Sequence, residues 1–168
     1  LSNGGFELTN NNKVRAISFD GTETVSANVE LYNSYNASAY SATYDETGKL
    51  LTGASPEAMI ALLEGLRADA IGINCSLGPH QMKNIAEEYL KLSSLPVIVS
   101  PNAGMPRTEN GKTVFDVDAE EFSLVMKEIA EMGADVLGGC CGTTPDYIKA
   151  TVEKTKELPY SPTENKNL

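Results

Sequence analysis

From residue 55 onward the apolar positions follow two alternating rhythms. Met59, Ile60, Leu62, Leu63 and Leu66 recur at helical spacing behind Ser55-Pro56-Glu57. That triplet is a helix start: Ser suits the N-cap, Pro the first helical position, and an acid the first turn. Residues 68–74 are a short apolar run of buried-strand type. A second helix is marked by Met82, Ile85, Ala86, Tyr89 and Leu90, and a second strand by residues 96–100. Phe122, Val125, Met126 and Ile129 give a third helix, closed by Gly133. Residues 134–137 form the last strand, and Pro145-Asp146 opens a last helix with Ile148 and Val152 facing inward. An order of helix, strand, helix, strand, helix, strand, helix implies parallel strands joined by right-handed crossovers.

The flanks are less patterned. In residues 1–44, Ser2-Asn3-Gly4-Gly5 and Asn10-Asn11-Asn12 read as loop. Residues 14–19 read as a strand, and residues 24–44 show a weak alternation that also suggests strand. Asp45-Glu46-Thr47-Gly48 is a turn, and its two acids are read as turn residues rather than a catalytic pair. Residues 107–112, with Arg107, Glu109 and Lys112, read as a solvated loop, and residues 159–168 as a polar tail. Three parts result: an N-terminal segment 1–44, an α/β body 45–158 and the tail 159–168.

All three cysteines fall where a strand hands over to a helix. Cys75 ends the first apolar run, and Cys140-Cys141 follow the last one. In a parallel α/β fold those corners share one face, at the carboxyl ends of the strands. Three thiolates meeting there would hold zinc through bonds of ~2.3 Å and leave one of its four positions open. Neighbouring strand residues point to opposite faces, so vicinal cysteines can share a metal only past the strand end. Gly138, Gly139 and Gly142 free the backbone to turn there. Competing readings are three buried thiols without a ligand role, or a closed structural zinc site with His80, the sole histidine, as fourth ligand. Thr143 and Thr144 are expected to cap the final helix, whose positive end would face the site and offer a seat for a carboxylate. Met59, Met82, Met126 and Met132 read as core filling.

A formal charge of -10 argues against nucleic acid or an anionic membrane as partner. No apolar run approaches the ~20 residues of a membrane span. An odd number of cysteines, two of them vicinal, makes a poor disulfide framework and suits a reducing, cytoplasmic setting.

Three ordered motifs resemble the homocysteine methyltransferase domain family. They are Gly72-Ile73-Asn74-Cys75-Ser76-Leu77-Gly78-Pro79, Pro101-Asn102-Ala103-Gly104-Met105-Pro106 and Gly138-Gly139-Cys140-Cys141-Gly142-Thr143-Thr144-Pro145. Tyr44-Asp45-Glu46-Thr47-Gly48 and Leu51-Thr52-Gly53 add to the likeness, which covers residues 44–158. Leu77-Gly78-Pro79 favours the branch of the homocysteine-binding module of cobalamin-dependent methionine synthase. The resemblance implies a (β/α)₈ barrel, a fold of ~250 residues. This chain would supply its last four βα units, the C-terminal half, since the family's N-terminal Asp-Gly-Ala-Met-Gly-Thr type of motif is absent.

The resemblance further implies zinc on Cys75, Cys140 and Cys141, with homocysteine as substrate. Its thiolate would attack a methyl donor, methylcobalamin, which methyltetrahydrofolate recharges in other modules of the parent enzyme. Neither cobalamin nor folate is expected to bind this segment. Asn74 and Asn102 are candidate contacts for homocysteine, with loop shaping as the alternative role for each. Betaine or S-methylmethionine as donor, or an inactive zinc-binding fragment, are the rival readings.

Overall fold

A computed structural model of the chain describes residues 39–160 and the backbones of three short strands ahead of them. Those strands are β1 (Gly5–Leu8), β2 (Val14–Ile17) and β3 (Glu23–Ser26), an antiparallel sheet in that order. β2 falls inside the run read as strand, whereas β1 starts at Gly5, where composition had pointed to loop. The expected loop at residues 10–12, much of the expected strand at 24–44 and the tail from residue 161 lie outside the described residues. The chain divides into two units, Leu1–Ala37 and Ser38–Leu168.

The second unit is a layer of parallel strands with helices between them. Its elements are β4 (Ala39–Ala42), α1 (Pro56–Gly65), β5 (Ala70–Asn74), α2 (Pro79–Leu92), β6 (Val97–Ser100), β7 (Pro106–Glu109), β8 (Lys112–Phe115), α3 (Ala119–Glu131), β9 (Val136–Leu137) and α4 (Pro145–Thr155). The sheet order is β4-β5-β6-β9, parallel throughout, as the helix–strand alternation demands. Register sets Ile71 beside Val97 and Ile73 beside Val99, so these four share one face. All four are essentially sealed from solvent, together with Met82, Ala86, Tyr89, Phe122, Met126 and Ile129 from α2 and α3. The other face carries Gly72, Ile98, Asn74 and Ser100. There the side chain of Ile98 is only half-buried, while Gly72 is closed over by Ile98 itself.

Helix ends follow the sequence signals closely. Ser55 accepts from the Ala58 N–H and Asp118 from the Glu121 N–H, capping α1 and α3. α3 ends in a Schellman turn, with Gly133 at φ 108°. Its N–H reaches Ala130 O, and the Ala134 N–H reaches Ile129 O. α1 ends in the same turn, through Arg67 to Glu64 O and Ala68 to Leu63 O, but with exposed Arg67 at φ 59° in the left-handed position. A left-handed non-glycine residue costs ~1–2 kcal/mol, and glycine's extra chain entropy offsets part of that. Arg67→Gly is therefore expected to stabilise the fold by ~0.5–1 kcal/mol, read as a rise in urea midpoint at unchanged slope. A lower midpoint would show that the left-handed turn is not strained.

Asp45 settles as a turn residue. Its Oδ1 accepts from the Thr47 hydroxyl, the Lys49 N–H and the Thr47 N–H, at 2.7, 3.1 and 2.9 Å. These bonds, the Thr47 hydroxyl foremost, hold its carboxyl below the usual range. The turn's contribution is therefore present above the ordinary carboxylate pKa and fades as pH falls through the lowered one.

Three expectations are corrected. Residues 107–112 are not loop: β7 and β8 pair as an antiparallel hairpin around Asn110-Gly111. Both turn residues have positive φ, 51° and 75°, the geometry that an Asn-Gly pair supplies in a two-residue turn. Ile148 and Val152 are not inward but 40% and 51% exposed. They line a shallow groove with Leu137, Ala134 and Tyr160 on the far side of β9, where no further strand covers them among the described residues. Thr144 is the N-cap of α4 by position, yet its side chain makes no cap bond. The Thr143 hydroxyl instead donates to Cys140 O at 2.7 Å.

Candidate metal centre

Cys75, Asn102 and Cys140 all follow the carboxyl ends of neighbouring strands, β5, β6 and β9. β6 lies between the two cysteine-bearing strands. The three sulfurs nevertheless meet. Cys75 Sγ stands 3.7 Å from Cys141 Sγ, Cys141 Sγ stands 4.0 Å from Cys140 Sγ, and all three lie within 4.8 Å of one another. A tetrahedral ion with ~2.3 Å bonds would separate its sulfurs by roughly 3.8 Å. The cluster thus has the dimensions of a three-sulfur metal site. It sits at an open corner, with Cys141 and Gly142 exposed and the other two cysteines half-buried.

Backbone geometry explains the convergence. Cys75 and Ser76 both take positive φ, 61° and 64°, which turns the chain sharply off β5. Of the three glycines in the second cysteine motif, only Gly142 takes positive φ, at 79°. A Cβ there would also run into the Phe115 ring of β8, so the hairpin backs the cysteine loop. Gly138 and Gly139 are required for closeness instead, since a Cβ would meet the Ser100 and Thr143 hydroxyls at 2.6 Å.

The thiols do not share one electrostatic environment. Burial works to raise the Cys75 pKa. Hydrogen bonds from the Ser76 backbone, the Cys140 and Cys141 thiols and the Asn102 side chain outweigh it, leaving the group below the ordinary thiol value. The Cys140 thiol is pushed up to about 11 by burial and by the neighbouring Cys75 sulfur. Cys75 is therefore the first of this pair to ionise.

Asn74 ends β5, and its Oδ1 accepts from the Ser41 and Thr43 hydroxyls at 3.1 and 3.4 Å. With Ser100, its register partner, these side chains make a polar row on the open face of the sheet beside the sulfurs. Ser41, Thr43 and Ser100 were not singled out from sequence. The available signal was small polar residues at or just past strand ends in an otherwise apolar pattern. Asn102 is 3% exposed, and its Oδ1 accepts from the Cys141 N–H at 3.0 Å. Its side chain thus turns to the cysteine loop rather than back on its own backbone. His80 stands apart, on the first turn of α2, with Nε2 2.8 Å from Glu121 Oε1. Among the described residues no histidine or carboxylate joins the three sulfurs, which removes the support for a closed site through His80.

Parallel strands with three thiols gathered over their carboxyl ends define a thiol-rich metal corner on an α/β layer. The chain belongs to the homocysteine S-methyltransferase family, whose model matches residues 12–155. That match begins well ahead of residue 44, where the motifs read from sequence begin. Methionine synthase of Mycobacterium leprae is 38% identical over 108 residues, 64% of this chain and 9% of the relative. Methionine synthase of Mycobacterium tuberculosis is 36% identical over 115 residues, again 64% of this chain and 9% of the relative. The chain thus spans about a tenth of the curated relatives it matches. Among solved structures, the metallated form of the homocysteine methyltransferase MmuM from Escherichia coli aligns with TM-score 0.55 at 25% identity, over 71% of this chain and 36% of that one. Its oxidized form gives TM-score 0.50 at 26% identity, over 66% and 33%. The family is one of methyltransferases, and the sheet corresponds to part of its α/β fold.

Proposed function

We propose that this chain carries the metal and homocysteine side of a zinc-dependent homocysteine S-methyltransferase, with Cys75, Cys140 and Cys141 as the zinc ligands. The observation that carries the reading is the convergence of three sulfurs from two non-adjacent strands, at metal-site spacing and on an open corner. Three soft thiolates suit zinc and leave one position for a further ligand. Zinc held there supplies Lewis-acid chemistry, lowering the pKa of a thiol that enters its fourth position.

The residues of the chain do the rest. Cys75, more easily ionised than Cys140, offers the first thiolate. The exposed flank at Cys141 and Gly142 leaves room for homocysteine to approach. Asn74, oriented by Ser41 and Thr43, is assigned the polar amino-acid end of the substrate, and the exposed N-terminus of α4 lies beside the same corner. In the reaction the homocysteine sulfur, its proton already released, bonds to the methyl carbon. The carbon–donor bond breaks and its electron pair leaves with the donor, giving methionine. The donor assigned is methylcobalamin, supported by the higher identity to methionine synthases than to MmuM.

The test is a titration of the cobalt-loaded chain with homocysteine. The sulfur-to-cobalt charge-transfer absorption is expected to rise as a fourth thiolate joins, and homoserine, which lacks sulfur, is expected to leave it unchanged. A flat titration with homocysteine would refute the reading.

A further inference from the structure

Cys75 and Cys141 belong to corners that β6 separates. Two strand spacings of ~4.8 Å each put β5 and β9 roughly 9–10 Å apart, yet the sulfurs are 3.7 Å apart. Both loops must therefore lean over the end of β6, and something at that end must hold them. We propose that Asn102 is the positioning residue that does so, tying the Cys141 main chain to the Cys75 loop so that the sulfurs converge before any metal arrives. The proposal rests on the zinc reading for its purpose, though not for its geometry.

Asn102 is bonded to both sides. Its backbone N–H donates to Leu77 O at 2.9 Å, two residues past Cys75. Its side-chain Oδ1 accepts from the Cys141 N–H at 3.0 Å. Flanking main-chain bonds run the same way: Cys75 N–H to Ser100 O at 3.1 Å, Cys140 N–H to Pro101 O at 2.8 Å, and Ala103 N–H to Cys141 O at 2.9 Å. Among these, the link through the Asn102 carboxamide is the one a substitution can remove. At 3% exposure that carboxamide is committed to the loops. The carboxamide oxygen takes up the Cys141 N–H, while the backbone N–H of the same residue holds the Cys75 loop at Leu77.

The test uses the full 168-residue chain. Zinc affinity by chelator competition, without homocysteine, is expected to fall roughly 10- to 100-fold in Asn102→Ala, the usual loss when a residue that orients a ligand is removed. At saturating cobalt, the variant's ligand-field bands are expected to match wild type, because the donor set is unchanged. In the metal-free chain, the Cys141 amide is expected to exchange faster in Asn102→Ala. It should stay protected in Asn102→Asp, which keeps the acceptor oxygen. If the alanine variant does not fold, Asn102→Ser, too short to reach the Cys141 N–H, takes its place.

Equal zinc affinity in variant and wild type would overturn the proposal. So would altered cobalt bands at saturation, which would make Asn102 a ligand itself. Loss of homocysteine affinity with zinc affinity intact would make it a substrate contact instead. Should wild type bind no zinc, the functional reading fails, and the amide exchange alone still decides the role of Asn102.

Discussion

Cys140→Ala is expected to weaken zinc binding by about two to three decades, enough to lose the metal to a competing zinc buffer, while leaving the α/β layer folded. A thiolate-rich zinc site is worth ~10–16 kcal/mol in apparent binding, or ~2.5–4 kcal/mol for each of four donors. One lost sulfur therefore predicts an affinity drop of roughly 60- to 700-fold. The fold should tolerate the change, since Cys140 is only half-buried and lies past the end of β9. Cys75→Ala and Cys141→Ala are expected to match it, because the three sulfurs form one cluster. Metal content after gel filtration against a zinc buffer, with far-ultraviolet circular dichroism as the check on folding, reads both effects. One zinc per chain in Cys140→Ala would sink the ligand assignment.

The cysteine site was legible because two independent signals agree there. Each cysteine follows an apolar run and precedes a helix start, and parallel topology brings such corners to one face. Local pattern could not show the lean of two loops over β6, since that depends on tertiary hydrogen bonds at Ser100, Pro101, Asn102 and Ala103. The β7–β8 hairpin had a clear local signal, Asn110-Gly111, obscured by the charges of Arg107, Glu109 and Lys112 around it. Ile148 and Val152 were misplaced for a different reason. Helical spacing reveals an apolar stripe but not its partner. The stripe of α4 faces the outer side of β9, where the described sheet ends. Asn74 and Asn102 were visible as polar residues at strand ends. Which way each side chain turns is set by neighbours distant in sequence, Ser41 and Thr43 for one and Cys141 for the other.

Phe122→Ala is expected to be the most damaging core substitution on α3. Phe122 is fully buried, and its ring meets Tyr147 edge to face, with centroids 5.4 Å apart at 81°. Tyr147 sits in the first turn of α4, and its hydroxyl donates to Val117 O at 2.8 Å. The aromatic pair therefore fixes the start of α4, directly after the Cys140-Cys141 loop. Emptying the Phe122 site costs ~3–5 kcal/mol, including the cavity it leaves. The edge-to-face contact, worth ~0.5–1.5 kcal/mol, is lost within that sum. Against a total stability of ~5–15 kcal/mol, this is enough to bring a marginal chain close to unfolding. Leu124→Ala, two residues on and 48% exposed, is the matched control, with an expected change within ~0.5 kcal/mol. Urea melts of the metal-free proteins compare the two, and saturation with zinc at ~100 times its dissociation constant should return ~2.7 kcal/mol to Phe122→Ala. That rescue requires the sulfurs still to converge once α4 has lost its anchor. A melt that zinc shifts in wild type but not in Phe122→Ala would show that the aromatic pair holds the metal corner itself. Equal midpoints for Phe122→Ala and Leu124→Ala would show that α4 is anchored elsewhere.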